Sequence, residues 1–379
     1  MSDNRLTQLH TLGQSIWLDY IDRQLLNDGT LDRLIRDDSL MGMTSNPTIF
    51  EKALSSGTEY DAQIAENASE RTAWELFELI ETDDVRSACD KFADAYKRSG
   101  GTDGFVSIEV SPGVANDAGD TVKEAHRLWA TVDRPNLMVK VPGTVEGARA
   151  VRRLIADGVN VNITLLFAVA AHDRVIESYL AGLEDRVALG KAIKQIASVA
   201  SFFVSRVDTE ADKRLDALIA AGGDKKRLEA LKGKTAIANA KLAYRLFQRR
   251  FSGTRWDALA ARGAQLQRPL WASTSTKNPV YRDVMYVEGL IGPHTVDTMP
   301  PATIDAFRDH GVVERTVDRD VAAAEQHIAE LESTGIKLSD VTDKLLVDGI
   351  ASFQKSFDGL IAGLEEKTHK LGHELLPSR

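Results

Sequence analysis

The chain has 379 residues, 43% hydrophobic and 27% charged, which is ordinary globular composition. Its formal net charge of -9 argues against nucleic acid and acidic membranes as main partners, although two or three local cations can still hold one phosphate. A single cysteine excludes a disulfide framework, and no run approaches the ~20 apolar residues of a membrane span.

The N-terminal run Met1–Gln8 lacks the apolar core of a signal peptide, so a cytoplasmic location is expected. Short β-rich runs then alternate with helical runs. The predicted strands are Ser15–Tyr20, Gly42–Thr44, Phe105–Val110, Leu137–Val141, Asn160–Leu165, Val199–Val204, Leu270–Ser273 and Thr295–Thr298. Cys89 falls in a helical pattern with Phe92 and Tyr96 and is expected to pack. After the fourth strand, Thr144 can cap a helix. Val145, Ala148, Val151, Leu154 and Ile155 form its apolar stripe, and Gly158 stops it. Eight strand–helix units predict an α/β fold, a closed parallel (β/α)8 or TIM barrel. Active groups in such a barrel come from the C-terminal strand ends and the loops that follow.

Two regions exceed a minimal barrel. Residues 207–264 read as helices inserted between the sixth and seventh strands, and residues 302–376 as a helical extension. The last helix, from about Ser339, carries Leu345, Leu346, Ile350, Phe353, Phe357 and Leu360. That stripe either packs on the barrel or forms a dimer face, so a monomer or a homodimer is expected. With no Pro/Ser-rich linker in sight, residues 1–379 are expected to form one domain.

The fourth strand is the most informative. Lys140 sits in the run Asn136–Gly143 with apolar residues on both sides and a Pro-Gly turn after it. Ammonium groups are rarely buried without a partner. A neutral amine held in a dry strand can attack a carbonyl and form a Schiff base. Other strands carry polar residues on one face too. Ser107 and Glu109 oppose Val106, Ile108 and Val110; Asn160, Asn162 and Thr164 oppose Val159, Val161, Ile163 and Leu165; Asp19 opposes Leu18 and Tyr20. Parallel strands covered on both faces should instead read as apolar runs. One inward polar group can simply solvate the barrel bottom. Asp19, Glu109, Lys140, Asn162 and Thr164 together point to a catalytic centre. A Schiff-base aldol reaction needs an amine, a proton shuttle and a base for a substrate hydroxyl, and Lys140, Glu109 and Asp19 can fill these roles.

Taken together, these runs resemble the transaldolases, in the class I aldolase superfamily. The matching segments are Ile16–Asp19, Thr44–Thr48, Ser107–Val110, Val139–Pro142, Val161–Phe167 and Ala200–Asp208, so the similarity extends from about Ile16 to Pro301. The longer bacterial branch is the most similar. The resemblance implies a metal-free and cofactor-free enzyme of the pentose phosphate pathway. It would move a dihydroxyacetone unit from sedoheptulose 7-phosphate to glyceraldehyde 3-phosphate, giving erythrose 4-phosphate and fructose 6-phosphate. By motif position, Lys140 would form the imine, Glu109 would activate a water, and Asp19 would take the proton of the donor's C4 hydroxyl. Asn46, Asn162, Thr164 and Ser201 would hold donor hydroxyls and the water, and Arg206 the phosphate. Shorter transaldolases place a second phosphate-binding arginine just after the seventh strand. This chain has Ser273-Thr-Ser275-Thr-Lys277 there, so Lys277 is expected to replace it, with Ser273 or Ser275 as hydroxyl donors. Related fructose-6-phosphate aldolases carry a glutamine and a tyrosine where this chain has Glu109 and Phe203, which favours transfer over simple cleavage.

Other signals carry less. Gly233-Lys234-Thr235 lacks the first glycine and the preceding strand of a phosphate-binding loop. His369 and His373 lie one helical turn apart without a third ligand. Gly100–Gly104 reads as a flexible turn.

Overall fold

A computed structural model describes residues 4–374, apart from the side chains at 55, 56 and 372–374. The His373 side chain and the predicted helical residues 375–376 therefore lie outside what is described. All eight predicted strands are present: β1 (Gln14–Asp19), β2 (Leu40–Thr44), β3 (Phe105–Glu109), β4 (Leu137–Pro142), β5 (Val161–Leu166), β6 (Ser198–Phe203), β7 (Gln267–Ala272) and β8 (Thr295–Met299). They pair in sequence order, every pair is parallel, and β8 closes on β1. Parallel neighbours need crossover connections, and helices supply them.

The apolar strand faces explain the closure. Val106, Ile108, Val139, Val141, Val161 and Ile163 are fully buried between the barrel and its helices. The helix Val145–Asp157 shows how local signals place the outer layer. Thr144 Oγ1 accepts from Gly147 N at 2.8 Å, and Gly158 leaves the helix at φ 102. Ala148, Val151, Leu154 and Ile155 are buried as predicted, but Val145 is 45% exposed. It is the first helical residue, where the chain has only just left the strand end.

Polar contacts fill the barrel floor. Asp103, from the loop before β3, accepts from Trp17 Nε1 at 3.0 Å, from Gly104 N at 3.1 Å and from Ser15 Oγ. Arg268 salt-bridges it at 3.1 Å and donates to Ser15 Oγ at 2.7 Å. Gln267 Nε2 donates to Ser198 Oγ at 3.0 Å. These contacts explain why β7 starts at Gln267 and not at Leu270. Its first residues are polar because they pair inside the floor with Ser198, Ser15 and Asp103 from other elements. Asn160 has a similar job, its amide bonding the carbonyls of Pro135 and Leu137 at 3.0 Å each.

Helices occupy both predicted additions. Ser205–Ala220, Lys225–Glu229, Thr235–Arg250 and Thr254–Ala260 lie between β6 and β7, and Pro301–His310, Val321–Ser333 and Leu338–Glu374 follow β8. The apolar stripe of the last helix packs inward, with Leu345, Phe353, Phe357, Leu360 and Leu364 buried. Phe357 lies 4.8 Å from the Trp74 ring and edge-on to Phe77 at 5.8 Å. Among the described residues, no helix is long and apolar enough to cross a membrane.

Gly42 on β2 is the register partner of Trp17 on β1, and a Cβ there would lie 2.5 Å from the indole carbons. Gly42→Ala is expected to lower stability by about 1–3 kcal/mol through overpacking. Urea unfolding of both proteins measures it, and an unchanged midpoint would show that Trp17 has room to move.

Candidate active site

The register of the barrel sets Glu109 beside Lys140 and Lys140 beside Asn162. Lys140 is 6% exposed. Its Nζ donates to Glu109 Oε2 at 3.0 Å and to the Ser45 carbonyl at 2.9 Å. That carbonyl is available because β2 ends there and a helix starts at once. Asn46 caps the helix Pro47–Ser56, its Oδ1 accepting from Ile49 N at 3.1 Å, and Pro47 is the first helical residue. Asn46 therefore has a structural task as well as a place on the cleft wall.

Asp19 ends β1, and its Oδ1 accepts from Thr44 Oγ1 at 2.9 Å. Thr44 in turn lies 3.0 Å from Thr298 Oγ1. By surface area Asp19 is only half-buried, yet it lies deep enough for desolvation to hold its carboxyl above the usual range. The nearby Lys140 charge and the Thr44 hydroxyl oppose that rise. Burial also raises Glu109, against the pull of Lys140. A raised Glu109 is a better acceptor for the ammonium proton it already contacts. Its other oxygen, Oε1, is buried and has no hydrogen-bond partner.

Neutral donors and acceptors continue around the barrel. Asn162 Nδ2 donates to Ser107 Oγ at 3.0 Å, and Ser201 Oγ donates to Asn162 Oδ1 at 2.6 Å. Asn162 is fully buried, whereas Ser201 and Thr164 line the cleft. The Thr164 hydroxyl has no protein partner. Leu165 follows at φ 58, where the β5–β6 register shifts.

The far side of the cleft is cationic. Arg206 stands in the first turn of the helix Ser205–Ala220, its guanidinium 5.3 Å from the Phe203 ring centre. Phe203 packs against Phe167 at 5.2 Å. Lys277, in the loop after β7, donates to Ser275 Oγ at 2.8 Å. Ser273, at φ 57, lies 2.9 Å from Ser205 through its hydroxyl. Desolvation lowers the proton affinity of Arg206, and the nearby Asp19 charge opposes this. It lowers that of Lys277 as well, and the Arg206 charge adds to the effect. Among the described residues, no carboxylate salt-bridges either cation. Two cations on one cleft wall, neither held by a carboxylate contact, can receive an anion.

The cleft lined by Asp19, Lys140, Thr164, Ser201, Arg206 and Lys277 holds about 370 Å³ of space for water. It is also lined by Thr44, Lys52, Thr298, Ser352 and Phe353, none of which the sequence marked as site residues. Thr44 lay inside a quoted motif, and Phe353 was legible only as part of an apolar stripe. The Ser45 carbonyl gave no signal, because every residue has one.

The set-aside signals have structural uses. Gly233 N donates to Asp212 at 3.1 Å and Ala236 N to Asp208 at 2.8 Å, so carboxylates of the chain itself occupy that helix start. Gly104 packs so closely on Tyr96 that a Cβ would lie 2.4 Å from its nitrogen. Among the described residues, no group of three or more His, Cys, Asp or Glu side chains could hold a metal ion.

Comparison with known proteins gives a consistent result. The profile of the family Transaldolase/Fructose-6-phosphate aldolase matches residues 16–364. A protein of Trichodesmium erythraeum (strain IMS101) named transaldolase is 46% identical, over 98% of this chain and 99% of its own. A transaldolase of Mycobacterium leprae (strain TN) is 46% identical, over 96% of each chain. One from Thermobifida fusca (strain YX) is 46% identical, over 94% of this chain and 96% of its own.

Asp19 can act as a base only when ionised. Its activity is expected to fall as pH drops through its raised pKa. Thr44→Val removes a hydrogen bond to the carboxylate, which raises that pKa further. The acid limb of kcat/KM should therefore move to higher pH. An acid limb identical to that of the unaltered enzyme would show that Asp19 does not set it.

Proposed function

The chain belongs to the transaldolase/fructose-6-phosphate aldolase family, and we propose from this premise that it is a transaldolase acting through an imine on Lys140. It moves a dihydroxyacetone unit from sedoheptulose 7-phosphate to glyceraldehyde 3-phosphate, giving erythrose 4-phosphate and fructose 6-phosphate. The observation that carries this reading is the buried Lys140–Glu109 contact of 3.0 Å beside a cleft that also presents Arg206 and Lys277.

The geometry supports a sequence of steps. Glu109 accepts a proton from the Lys140 ammonium, leaving a neutral amine. The amine attacks the ketose carbonyl carbon, and Glu109, directly or through a water, returns the proton to the departing hydroxyl. Water leaves and an iminium forms. Asp19 takes the C4 hydroxyl proton, the C3–C4 bond breaks, and its electron pair moves into the iminium to give an enamine. The enamine then attacks the aldehyde of the second sugar, and Asp19 returns the proton to the new hydroxyl. Hydrolysis frees Lys140. Arg206 and Lys277 hold the phosphate of the donor and, after the first aldose phosphate has left, that of the acceptor, while Asn46, Asn162, Thr164, Ser201 and Ser273 orient hydroxyls or water. The reading calls for no metal, nucleic acid or membrane. It suits a cytoplasmic monomer or homodimer.

Lys140→Ala is expected to abolish activity with the fold intact, since it removes the amine that forms the imine. Incubation with fructose 6-phosphate and borohydride, followed by peptide mass mapping, should label Lys140. A label on a different lysine would overturn the assignment. A coupled assay tests the transfer itself, with fructose 6-phosphate consumed rapidly only when erythrose 4-phosphate is present.

The alternative is an aldolase that releases free dihydroxyacetone. The family description covers both activities, and Phe203 distinguishes them. Its ring, packed against Phe167, puts no hydroxyl beside the enamine. Phe203→Tyr is expected to raise release of dihydroxyacetone relative to transfer, because a hydroxyl or a water it orders can protonate the enamine. The ratio of the two rates is the readout, and an equal fall in both would assign Phe203 to packing alone.

A further inference from the structure

Glu109 touches a second cavity, distinct from the sugar cleft. It is lined by Glu78, Glu81, Glu109, Ser111, Glu124 and Phe357, among others. The space open to a water centre is about 20 Å³, enough for one molecule. Glu81 comes from the helix Ala73–Arg98, which packs against β3. It is 5% exposed and makes no hydrogen bond among the described residues. Glu109 Oε1 is enclosed and equally without a donor. Two buried carboxylates cannot both stay charged and unsolvated at such a place.

The surrounding contacts decide which one carries the proton. Glu109 is held by the Lys140 ammonium at 3.0 Å. Glu78 pairs with Arg127, and Glu124 accepts from Ser111 N and Ser111 Oγ, both at 2.8 Å. Glu81 alone has no cation and no donor. We propose that Glu81 is a positioning residue: a neutral carboxylic acid that donates, through one water in this cavity, to Glu109 Oε1, and so keeps Oε2 aimed at Lys140. The inference rests on the reading of Glu109 as the proton shuttle.

The electrostatics of the cavity agree with that geometry. Desolvation holds Glu81 well above the carboxylate range, and the charges of Glu109, Glu78 and Glu124 add to the rise. Lys140 opposes it. These are the charged groups that face Glu81 from β3, from its own helix, from the helix Ala118–Val132 and from β4. Arg127 offsets Glu78. The sign follows directly. Below its pKa, Glu81 donates and Glu109 stays oriented. Above it, the donor becomes a second anion, Glu109 loses its orientation towards Lys140, and imine formation slows.

The test uses the full-length enzyme and three proteins: unaltered, Glu81→Gln and Glu81→Leu. Each is assayed for kcat and KM across pH. Leucine removes the donor, so kcat should fall about tenfold or more, as loss of one hydrogen bond to a charged group implies, with KM little changed. Glutamine keeps a donor that cannot ionise. It should recover most of the leucine loss and move the alkaline limb to higher pH. An alkaline limb unmoved in Glu81→Gln, or a kcat in Glu81→Leu equal to that of the unaltered enzyme, overturns the proposal. Borohydride trapping separates the two levels of argument. No label on Lys140 in the unaltered enzyme would overturn the Schiff-base reading itself. Equal trapping rates at every pH in all three proteins would overturn only the role of Glu81.

Discussion

A lysine and a glutamate face each other in a place almost without water, and the barrel is built around keeping them there. Taking each ion out of water costs several kcal/mol, and their attraction offsets it only with good geometry and further hydrogen bonds. Lys140 obtains both, from Glu109 at 3.0 Å and the Ser45 carbonyl at 2.9 Å. The adjacency of β3 and β4 supplies the first contact. The abrupt end of β2, with Asn46 capping the next helix, supplies the second. On the glutamate side, Oε1 meets no direct donor among the described residues. With so few direct donors, and raised by burial, Glu109 keeps a tendency to accept the ammonium proton.

The floor of the same barrel makes the contrast. Asp103 there accepts from Ser15, Trp17, Gly104 and Arg268 at once. A carboxylate with that many donors is held in one place and serves as a brace. The two ends of the barrel thus hold similar ion pairs with opposite uses. The difference lies in how many donors each acid meets and in the cation, Arg268 on the floor and Lys140 beside the cleft.

This contrast explains what the sequence could and could not reveal. Strand alternation exposed Asp19, Glu109 and Lys140, because a polar residue inside an apolar parallel strand is anomalous whatever surrounds it. The barrel was legible for the same reason, since strands with helical intervals admit few arrangements. Alternation gave no means of separating Asn160, which braces the floor, from Asn162 on the same face two residues later. The polar start of β7 read as loop because its pairing partners are distant in sequence. Glu81 was invisible for another reason. It sits among Glu78, Asp83 and Asp84 on a helix, where acidic residues normally face water. Only its burial against Glu109 sets it apart.

The last helix ties late sequence to early sequence. Ser356 bonds Thr48 at 2.8 Å across a separation of 308 residues, and Lys367 reaches the carbonyls of Leu54 and Gly57 at 3.0 and 2.6 Å. The helix it clamps is the one whose start presents Ser45 and Asn46 to the amine. Phe353 walls the cleft from the same segment. Contacts of such high sequence separation form late and slowly. During synthesis on the ribosome, all eight strands and the reactive lysine therefore emerge before the segment that completes the cleft wall. A nascent chain carries its chemistry well before it has a finished entrance.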